Sequence, residues 1–214
     1  MKTQRRILLD LYLAKSTPLM TGDVIDIGGK KENKRGDFRP PLSQVKSWRY
    51  ANIDKSTDPD YCCSAESIPV SDNYFDTAFL CEVLEHLEKP EEVLREAFRI
   101  LNRGGNVIIS APFLFPVHAD PYDFQRWTET KIRLALESIG FSDIKITPMG
   151  GTGAVIHDIL FTSFNKIQNK HGKSLSFLGL RLTEPIFSIL DKAFKTTEKA
   201  ITTGYFVTAV KPKL

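Results

Sequence analysis

The chain has 214 residues, which is enough for one α/β domain with a sizeable hydrophobic core. Its formal net charge is only +3, with 42% hydrophobic and 26% charged residues, and this balance lacks the concentrated basic charge of most nucleic-acid-binding proteins. No apolar run reaches the ~18 residues of a membrane span. Charged residues such as Lys2, Arg5 and Arg6 interrupt the first apolar stretch, so no signal peptide is expected.

The three cysteines Cys62, Cys63 and Cys81 cannot pair completely, which favours a reducing compartment and a cytoplasmic location. The four histidines show no zinc-site spacing relative to the cysteines. The sequence therefore predicts no metal site.

The first half of the chain predicts one helix followed by short strands. Residues 4–15 carry apolar side chains at helical spacing, and Val24–Ile27 has the apolar run of a buried strand that ends in Gly28 and Gly29. A polar, basic loop and a short helix should follow. The next three strands are predicted at Tyr50–Asp54, Asp60–Ser64 and Phe75–Cys81.

The second half opens with a helix that begins near Pro90 and should end at the pair Gly104-Gly105. A further helix is predicted from about Glu129 to Ile139. Strands are predicted at Val107–Ser110, Ser142–Thr147 and Ile201–Val210. Strands that alternate with helices indicate a parallel sheet covered on both faces. The prediction is one domain over residues 1–214.

A helical insertion is expected at about 152–199, before the last strand. Residues 175–194 are rich in apolar side chains, and Pro185 is predicted to divide them into two helices. Four interpretations of this insertion stay open: a lid over a bound substrate, a peripheral membrane surface through about 175–195, a homodimer contact, and ordinary core packing. Met149 to Gly153 is a candidate hinge for the insertion.

Open α/β sheets bind ligands beyond the carboxyl ends of their strands, so the loop from Asp26 to Gly29 is predicted to border a ligand. A dinucleotide site would need Gly-x-Gly-x-x-Gly, and here lysines follow Gly29. A cofactor without phosphates does not need that pattern. Asp54, at the end of the second strand, suits two hydrogen bonds from vicinal ribose hydroxyls, with a solvated strand-end aspartate as the alternative.

Three segments carry a family resemblance: Ser64-Ala65-Glu66-Ser67-Ile68-Pro69, Asp72-Asn73-Tyr74-Phe75-Asp76 and Cys81-Glu82-Val83-Leu84-Glu85-His86-Leu87. In this order they resemble the class I S-adenosylmethionine-dependent methyltransferases of the type 11, small-molecule group. The resemblance covers roughly residues 20–150. It implies a Rossmann-like sheet of seven mostly parallel strands with an antiparallel last strand, and S-adenosyl-L-methionine as the cofactor.

The resemblance also implies which part of the cofactor each matching position would contact. These are Asp26, Gly28 and Gly29 for the methionine part, Asp54 for the ribose, Ser64, Ala65 and Glu66 for the adenine, and Cys81 and Glu82 for the sulfonium end. Two positions depart from the family pattern. Lys30 stands where a further glycine is usual, and Ser64 stands where an aspartate is frequent.

The loop at residues 111–128 is predicted to contact the acceptor. It is similar to the His-x-x-Pro-Tyr-Asp-aromatic-x-Arg-aromatic-Thr segment of some methyltransferases in glycan and secondary-metabolite pathways. Its aromatic side chains suit the lining of a pocket with few polar groups. The predicted acceptor-binding residues are Phe113, Tyr122 and Arg126, and Arg126 has the alternative of pairing with Asp123.

His118 is the first candidate for the base that takes the acceptor proton, because its ordinary pKa lies near neutrality. Asp120 and Asp123 are candidates to orient or replace it. His86 is a candidate contact for acceptor or cofactor, and Glu85 is expected at most to pair with a nearby base. A structural role is the alternative for each of these residues.

The predicted reaction is methyl transfer to an oxygen, or with less support a nitrogen, of a small-molecule or glycan-type acceptor. Two rivals stay open. A non-catalytic binding or scaffold protein is compatible with Lys30 and Ser64, and a nicotinamide-dependent oxidoreductase would require the missing third glycine.

Overall fold

The computed structural model describes residues 2–32, 36–118, 121–167, 170–193 and 201–213, without the side chains of residues 170, 184, 188 and 190–193. Seven strands form one sheet: β1 (Asp23–Ile27), β2 (Ser47–Asn52), β3 (Tyr61–Cys62), β4 (Phe75–Cys81), β5 (Leu101–Pro112), β6 (Ser142–Pro148) and β7 (Gly204–Val210). Their order is β3-β2-β1-β4-β5-β7-β6. The first five strands in this order, β3, β2, β1, β4 and β5, pair in parallel. Strand β7 is antiparallel to both of its neighbours, β5 and β6. The predicted fold class is confirmed.

Within these described ranges, five α-helices accompany the sheet: α1 (Gln4–Lys15), α2 (Pro90–Ile100), α3 (Glu129–Ile139), α4 (Thr152–Asn165) and α5 (Lys170–Ala193). The apolar sides of α2 and α3 pack on one face of the sheet, in a buried cluster with Ile25 of β1. Leu9 and Leu13 of α1 pack on the other face with Val24. Successive residues of β1 therefore enter two separate cores, as the alternation of side chains along a strand requires.

The pair Gly104-Gly105 does not end the helix that begins at Pro90. The helix ends at Ile100, and β5 begins at Leu101, which is fully buried and pairs with Phe75 before a register shift. Gly104 takes a φ of 82° inside the strand, and its amide donates to the carbonyl of Lys211 at 2.7 Å. Strand pairing and burial of Leu101 therefore override the local helix-end signal.

The short helix predicted between β1 and β2 is also absent from the described residues there, which form turns and bends. Phe38 stacks on Phe79 of β4 with ring centroids 6.3 Å apart. Trp48 of β2 packs against the same ring at 5.0 Å. Aromatic side chains thus cover this part of the sheet where a helix was expected.

Pro185 does not divide the C-terminal helix, because α5 continues through it. Contacts with α4 lie on both sides of the proline: Phe177 packs on Phe161 at 5.3 Å, and Phe187 packs on His157 at 5.8 Å. These contacts favour one helix even though a proline removes a backbone hydrogen bond. The predicted helical residues 194–199 lie outside the described part of the chain.

Both α4 and α5 stand between β6 and β7, where the insertion was predicted. The assignment of the whole chain to one domain, the cytoplasmic location and the hinge at Met149 to Gly153 stay predictions. Within the described ranges, no helix combines the length and the hydropathy that a bilayer crossing requires.

Candidate active site

A cavity of about 630 Å³ lies beyond the carboxyl ends of β1, β2 and β4. All nine positions predicted to contact the cofactor line it: Asp26, Gly28, Gly29, Asp54, Ser64, Ala65, Glu66, Cys81 and Glu82. His86, His118 and Tyr122 line it as well. The sheet thus brings together residues that are up to about 100 positions apart in the sequence, at the edge where open α/β sheets bind ligands.

The loop after β1 requires its two glycines. Gly28 has a φ of 79°, and a Cβ there would lie 2.7 Å from a methyl group of Val83. A Cβ on Gly29 would lie 2.2 Å from the carboxylate of Asp26. The side-chain amide of Asn52 donates to the carbonyls of Gly28 and Gly29 at 3.2 and 3.1 Å. Asn52 was not singled out from the sequence, although it stands two residues before Asp54.

Asp54 begins a short 3₁₀ turn, Lys55–Thr57, beside the cavity. Its Oδ1 accepts the hydroxyl of Ser56 at 2.7 Å and the amide of Ser56 at 2.9 Å. These bonds lower the pKa of Asp54, with a smaller contribution from the charge of Lys30. Asp54 is therefore ionised and suited to accept hydrogen bonds from hydroxyl groups.

Two neighbours complete this end of the cavity. The Ser64 hydroxyl hydrogen-bonds the Glu66 carboxylate, so the serine that replaces the more frequent aspartate is itself held by an acidic group. Ile53 lines the cavity and is 77% exposed. Ile53 was not predicted to line the site. An apolar residue directly before the strand-end aspartate Asp54 would have indicated it.

Glu82, just after β4, has a φ of 59°, which is uncommon for a residue other than glycine. Its amide donates to the carbonyl of Ser110 at 3.0 Å, and its Oε1 accepts the hydroxyl of Ser110 at 2.8 Å. Arg5 of α1 forms an ion pair with the other carboxylate oxygen. Backbone strain of this kind persists where the surroundings hold the residue in place.

Arg5 was not predicted to belong to the site. Burial lowers its pKa to about 10, so the guanidinium still carries its charge at neutral pH. It stacks over the ring of Phe115 at 4.0 Å, in the loop that was predicted to contact the acceptor. Burial also raises the pKa of the Cys81 thiol, which keeps it protonated and unsuited to nucleophilic attack.

His86 and His118, which also line the cavity, flank the buried carboxylate of Glu85. Their Nε2 atoms lie 3.7 and 3.6 Å from Glu85 Oε1. The two imidazole rings meet edge to face with centroids 5.3 Å apart. The structure therefore brings together the two histidines that were predicted as separate candidates, and Glu85 connects them.

Of the other predicted acceptor-side residues, the three that the structure describes, Phe113, Asp123 and Arg126, do not line the cavity. Asp123 accepts the backbone amide of His118 at 2.9 Å and is paired with Arg126, which is the alternative that the sequence left open for that arginine. Phe113 packs against Tyr205 with centroids 5.6 Å apart, in the sheet core. Asp120 lies outside the described residues.

The middle part of the chain is similar in sequence to known methyltransferases. A family model described as a methyltransferase domain matches residues 42–109. The mitochondrial 2-methoxy-6-polyprenyl-1,4-benzoquinol methylase of Caenorhabditis elegans is 29% identical over 86 residues, covering 40% of this chain and 25% of that protein. The chain thus matches about a quarter of the length of the curated relatives.

Two solved structures share the fold. Phosphoethanolamine N-methyltransferase 2 of Haemonchus contortus, in complex with S-adenosyl-L-methionine, has a TM-score of 0.58 at 18% identity and covers 95% of this chain and 52% of its own. A SAM-dependent methyltransferase from Archaeoglobus fulgidus has a TM-score of 0.58 at 18% identity and covers 96% of this chain and 94% of its own.

The ion pair of Asp123 and Arg126 leads to a prediction about how stability depends on pH. The bonds from Arg126 lower the pKa of Asp123 from 3.8 to about 2. A carboxyl group whose pKa is lowered by folding stabilises the fold above its unfolded pKa, and this contribution is lost as the pH falls through the folded value. We expect Arg126→Met to lower the free energy of unfolding by about 2–3 kcal/mol at neutral pH, since it leaves a buried carboxylate unpaired.

The difference in the free energy of unfolding between wild type and Arg126→Met should shrink as the pH falls from roughly 4 to 2, because Asp123 takes up a proton in both proteins. Urea unfolding across this pH range measures the difference. Arg133→Met is the matched control, because its 3.5 Å pair with Glu129 lies on the surface and such pairs contribute about 0–1 kcal/mol. Equal losses of stability in the two variants at neutral pH would contradict the assignment.

Proposed function

Because the chain belongs to the class I S-adenosylmethionine-dependent methyltransferase family, we propose that it transfers the methyl group of this cofactor to a small-molecule or glycan acceptor. The acceptor atom is an oxygen, with nitrogen as the less supported choice. The observation that carries the proposal is the convergence of all nine expected cofactor positions on one cavity. A fold alone supports many activities, so the proposed activity rests on the residues of the site.

The cavity suits the parts of S-adenosyl-L-methionine in the expected order. The glycines of the β1 loop allow backbone to approach the methionine part, and the ionised Asp54 accepts the ribose hydroxyls. Ile53 and Ala65 offer apolar surface to the adenine. The volume of about 630 Å³ lies within the usual range of about 300–1,000 Å³ for ligand pockets.

Methyl transfer is an in-line displacement at carbon. An electron pair of the acceptor atom forms the new bond to the methyl carbon while the bond from carbon to sulfur breaks, and that electron pair leaves with sulfur as S-adenosylhomocysteine. The acceptor loses its proton to a base, for which His118 is the candidate. Because the sulfonium is already a good leaving group, the main work of the protein is alignment, which supplies about 7–11 kcal/mol in favourable cases.

The acceptor end lies where Glu82 and the two histidines border the cavity together with the exposed ring of Tyr122, with Glu85 buried behind the histidines. The relatives act on different atoms, since one is named as a benzoquinol methylase and another as a phosphoethanolamine N-methyltransferase. Their names therefore support a small-molecule acceptor. The choice of oxygen rests on His86 and His118, because a hydroxyl gains more than an amine from groups that help remove its proton.

Asp54→Ala tests the cofactor site. We expect it to weaken the binding of S-adenosylhomocysteine by about 10- to 100-fold, since two hydrogen bonds to a charged acceptor are lost. Isothermal titration calorimetry measures the change. Asp58→Asn is the control, because Asp58 is an exposed carboxylate on the same turn that does not line the cavity.

Unchanged affinity of folded Asp54→Ala would contradict the ribose assignment. If the wild-type protein gave no heat with S-adenosylhomocysteine at high concentration, the scaffold alternative would replace the proposal. Stabilisation by NADH and not by S-adenosylhomocysteine in a thermal-shift assay would favour an oxidoreductase instead.

His118→Ala tests the acceptor end. We expect it to lower methyl transfer from labelled S-adenosyl-L-methionine at least about tenfold while the affinity for S-adenosylhomocysteine stays unchanged, because His118 is not among the positions predicted to hold the cofactor. The assay uses a panel of hydroxyl- and amine-bearing aromatic compounds and sugars. His171→Ala is the control, since His171 lies on α5 and does not line the cavity. Full activity of His118→Ala on a methylated acceptor would remove the residue from the mechanism.

We further propose that α5 makes a peripheral membrane contact. Five of its apolar side chains recur every three or four residues and are between 53% and 72% exposed: Leu175, Leu178, Leu182, Ile186 and Ile189. The spacing places them on one face, which is the pattern of an interfacial helix. A polyprenyl acceptor, such as the name of the nematode relative describes, would be reached from that surface.

Co-sedimentation with phosphatidylglycerol vesicles tests this contact. Leu178→Glu with Leu182→Glu should lower the bound fraction severalfold, because charged side chains are costly to bury in the interface. Leu134→Glu on α3 is the control, since Leu134 is 58% exposed outside this face. If the double variant bound vesicles as well as the wild type, or if it dissociated a dimer in analytical ultracentrifugation, the membrane assignment would be wrong.

A further inference from the structure

Glu85, His86 and His118 present three potential ligand atoms to one point. Each residue offers one side-chain oxygen or nitrogen atom, and these three atoms all lie within 4.8 Å of one another. A tetrahedral ion with bonds of about 2.0–2.1 Å separates its ligand atoms by about 3.3–3.4 Å. The two separations from Glu85 Oε1 to the histidine Nε2 atoms, 3.6 and 3.7 Å, are a few tenths of an ångström wider.

Both imidazole rings are oriented by their other nitrogen. His86 Nδ1 lies 2.6 Å from the carbonyl oxygen of Tyr122, and His118 Nδ1 lies 3.1 Å from the carbonyl oxygen of Pro116. A carbonyl oxygen accepts, so each Nδ1 carries a proton, and each ring turns its Nε2 toward Glu85. A backbone carbonyl behind a histidine is a frequent outer partner of metal-binding imidazoles.

The carboxylate of Glu85 is buried, with its side chain 1% exposed, and neither oxygen has a hydrogen-bond partner among the described residues. A buried charge without hydrogen bonds is costly unless it is paired or coordinates a metal. Arg5 and Arg126 lie near, but their ion pairs are with Glu82 and Asp123. Within the described part of the chain, the only ion-pair partners of Glu85 are the two histidines.

We propose that Glu85, His86 and His118 bind a divalent first-row transition-metal ion at the acceptor end of the cavity. Two imidazole nitrogens and one carboxylate oxygen form the donor set that such ions prefer, and this set leaves coordination positions open for a substrate. In placing the ion beside the acceptor, the inference rests on the proposed function.

A metal at this point changes the role predicted for His118. A coordinated Nε2 has no lone pair for the acceptor proton, so His118 would be a ligand. The ion would act as a Lewis acid that lowers the pKa of an acceptor hydroxyl, and the released proton would pass to solvent water. Asp123 then acts as a positioning residue, because its carboxylate holds the backbone amide of His118.

Calorimetry and visible absorption with Co²⁺ test the site on the full chain, prepared without a histidine tag and stripped with a chelator. We expect one Co²⁺ per chain and the d–d absorption band of an imidazole-bound ion. Glu85→Gln, His86→Ala and His118→Ala should each weaken binding on the order of 100-fold. His171→Ala is the matched control and should bind as the wild type does, and circular dichroism checks that each variant is folded.

Absence of bound Co²⁺ in the wild type, or equal affinity of the three site variants and the wild type, would overturn the inference. Titration of S-adenosylhomocysteine into the same samples separates the two proposals. Cofactor binding without Co²⁺ binding would remove the metal site and leave the methyltransferase proposal in place. Co²⁺ binding that is lost in the three variants, in a protein that ignores S-adenosylhomocysteine, would support the metal site and contradict the proposed function.

Discussion

The parallel pairing of β1 between β2 and β4 determines where the cavity forms. Ile27 pairs with Ala51, and the amide of Gly28 continues the ladder by donating to the carbonyl of Ala51 at 2.8 Å. The Asn52 side chain then extends this pairing into the loop through its bonds to the glycine carbonyls. Because parallel strands end at the same edge, one register aligns the glycine loop, the strand-end aspartate and Glu82.

The N-terminal helix is part of the site because its first turn is fixed from a distant element. The backbone amides of Gln4 and Arg5 donate to the carboxylate of Asp158 on α4 at 2.6 and 2.9 Å. A carboxylate at a helix N-terminus satisfies otherwise unpaired amides and complements the helix dipole. This contact places the Arg5 guanidinium against Glu82. Asp158 of α4 therefore helps to hold the ion pair of Arg5 and Glu82 at the cavity.

Local patterns in the sequence were sufficient for much of the fold. Phe75–Cys81 and Glu129–Ile139 have the bounds that apolar spacing predicted, and a methyltransferase-domain family model matches residues 42–109. The error at Gly104-Gly105 arose because pairing across the sheet outweighed a local helix-end signal. The role of Arg5 depends on a contact with Glu82, far along the chain, and no local pattern contains that information. The position of Glu85 between two histidines likewise follows only from the approach of the 111–128 loop.

A crystal structure with S-adenosylhomocysteine tests the central claim most directly, because it locates each part of the cofactor relative to the cavity walls. The account predicts the ribose hydroxyls within hydrogen-bond distance of Asp54, the adenine against Ile53 and Ala65, and the sulfur on the side of Glu82 that faces His118. An empty cavity at saturating S-adenosylhomocysteine, or a nucleoside bound at another edge of the sheet, would contradict it.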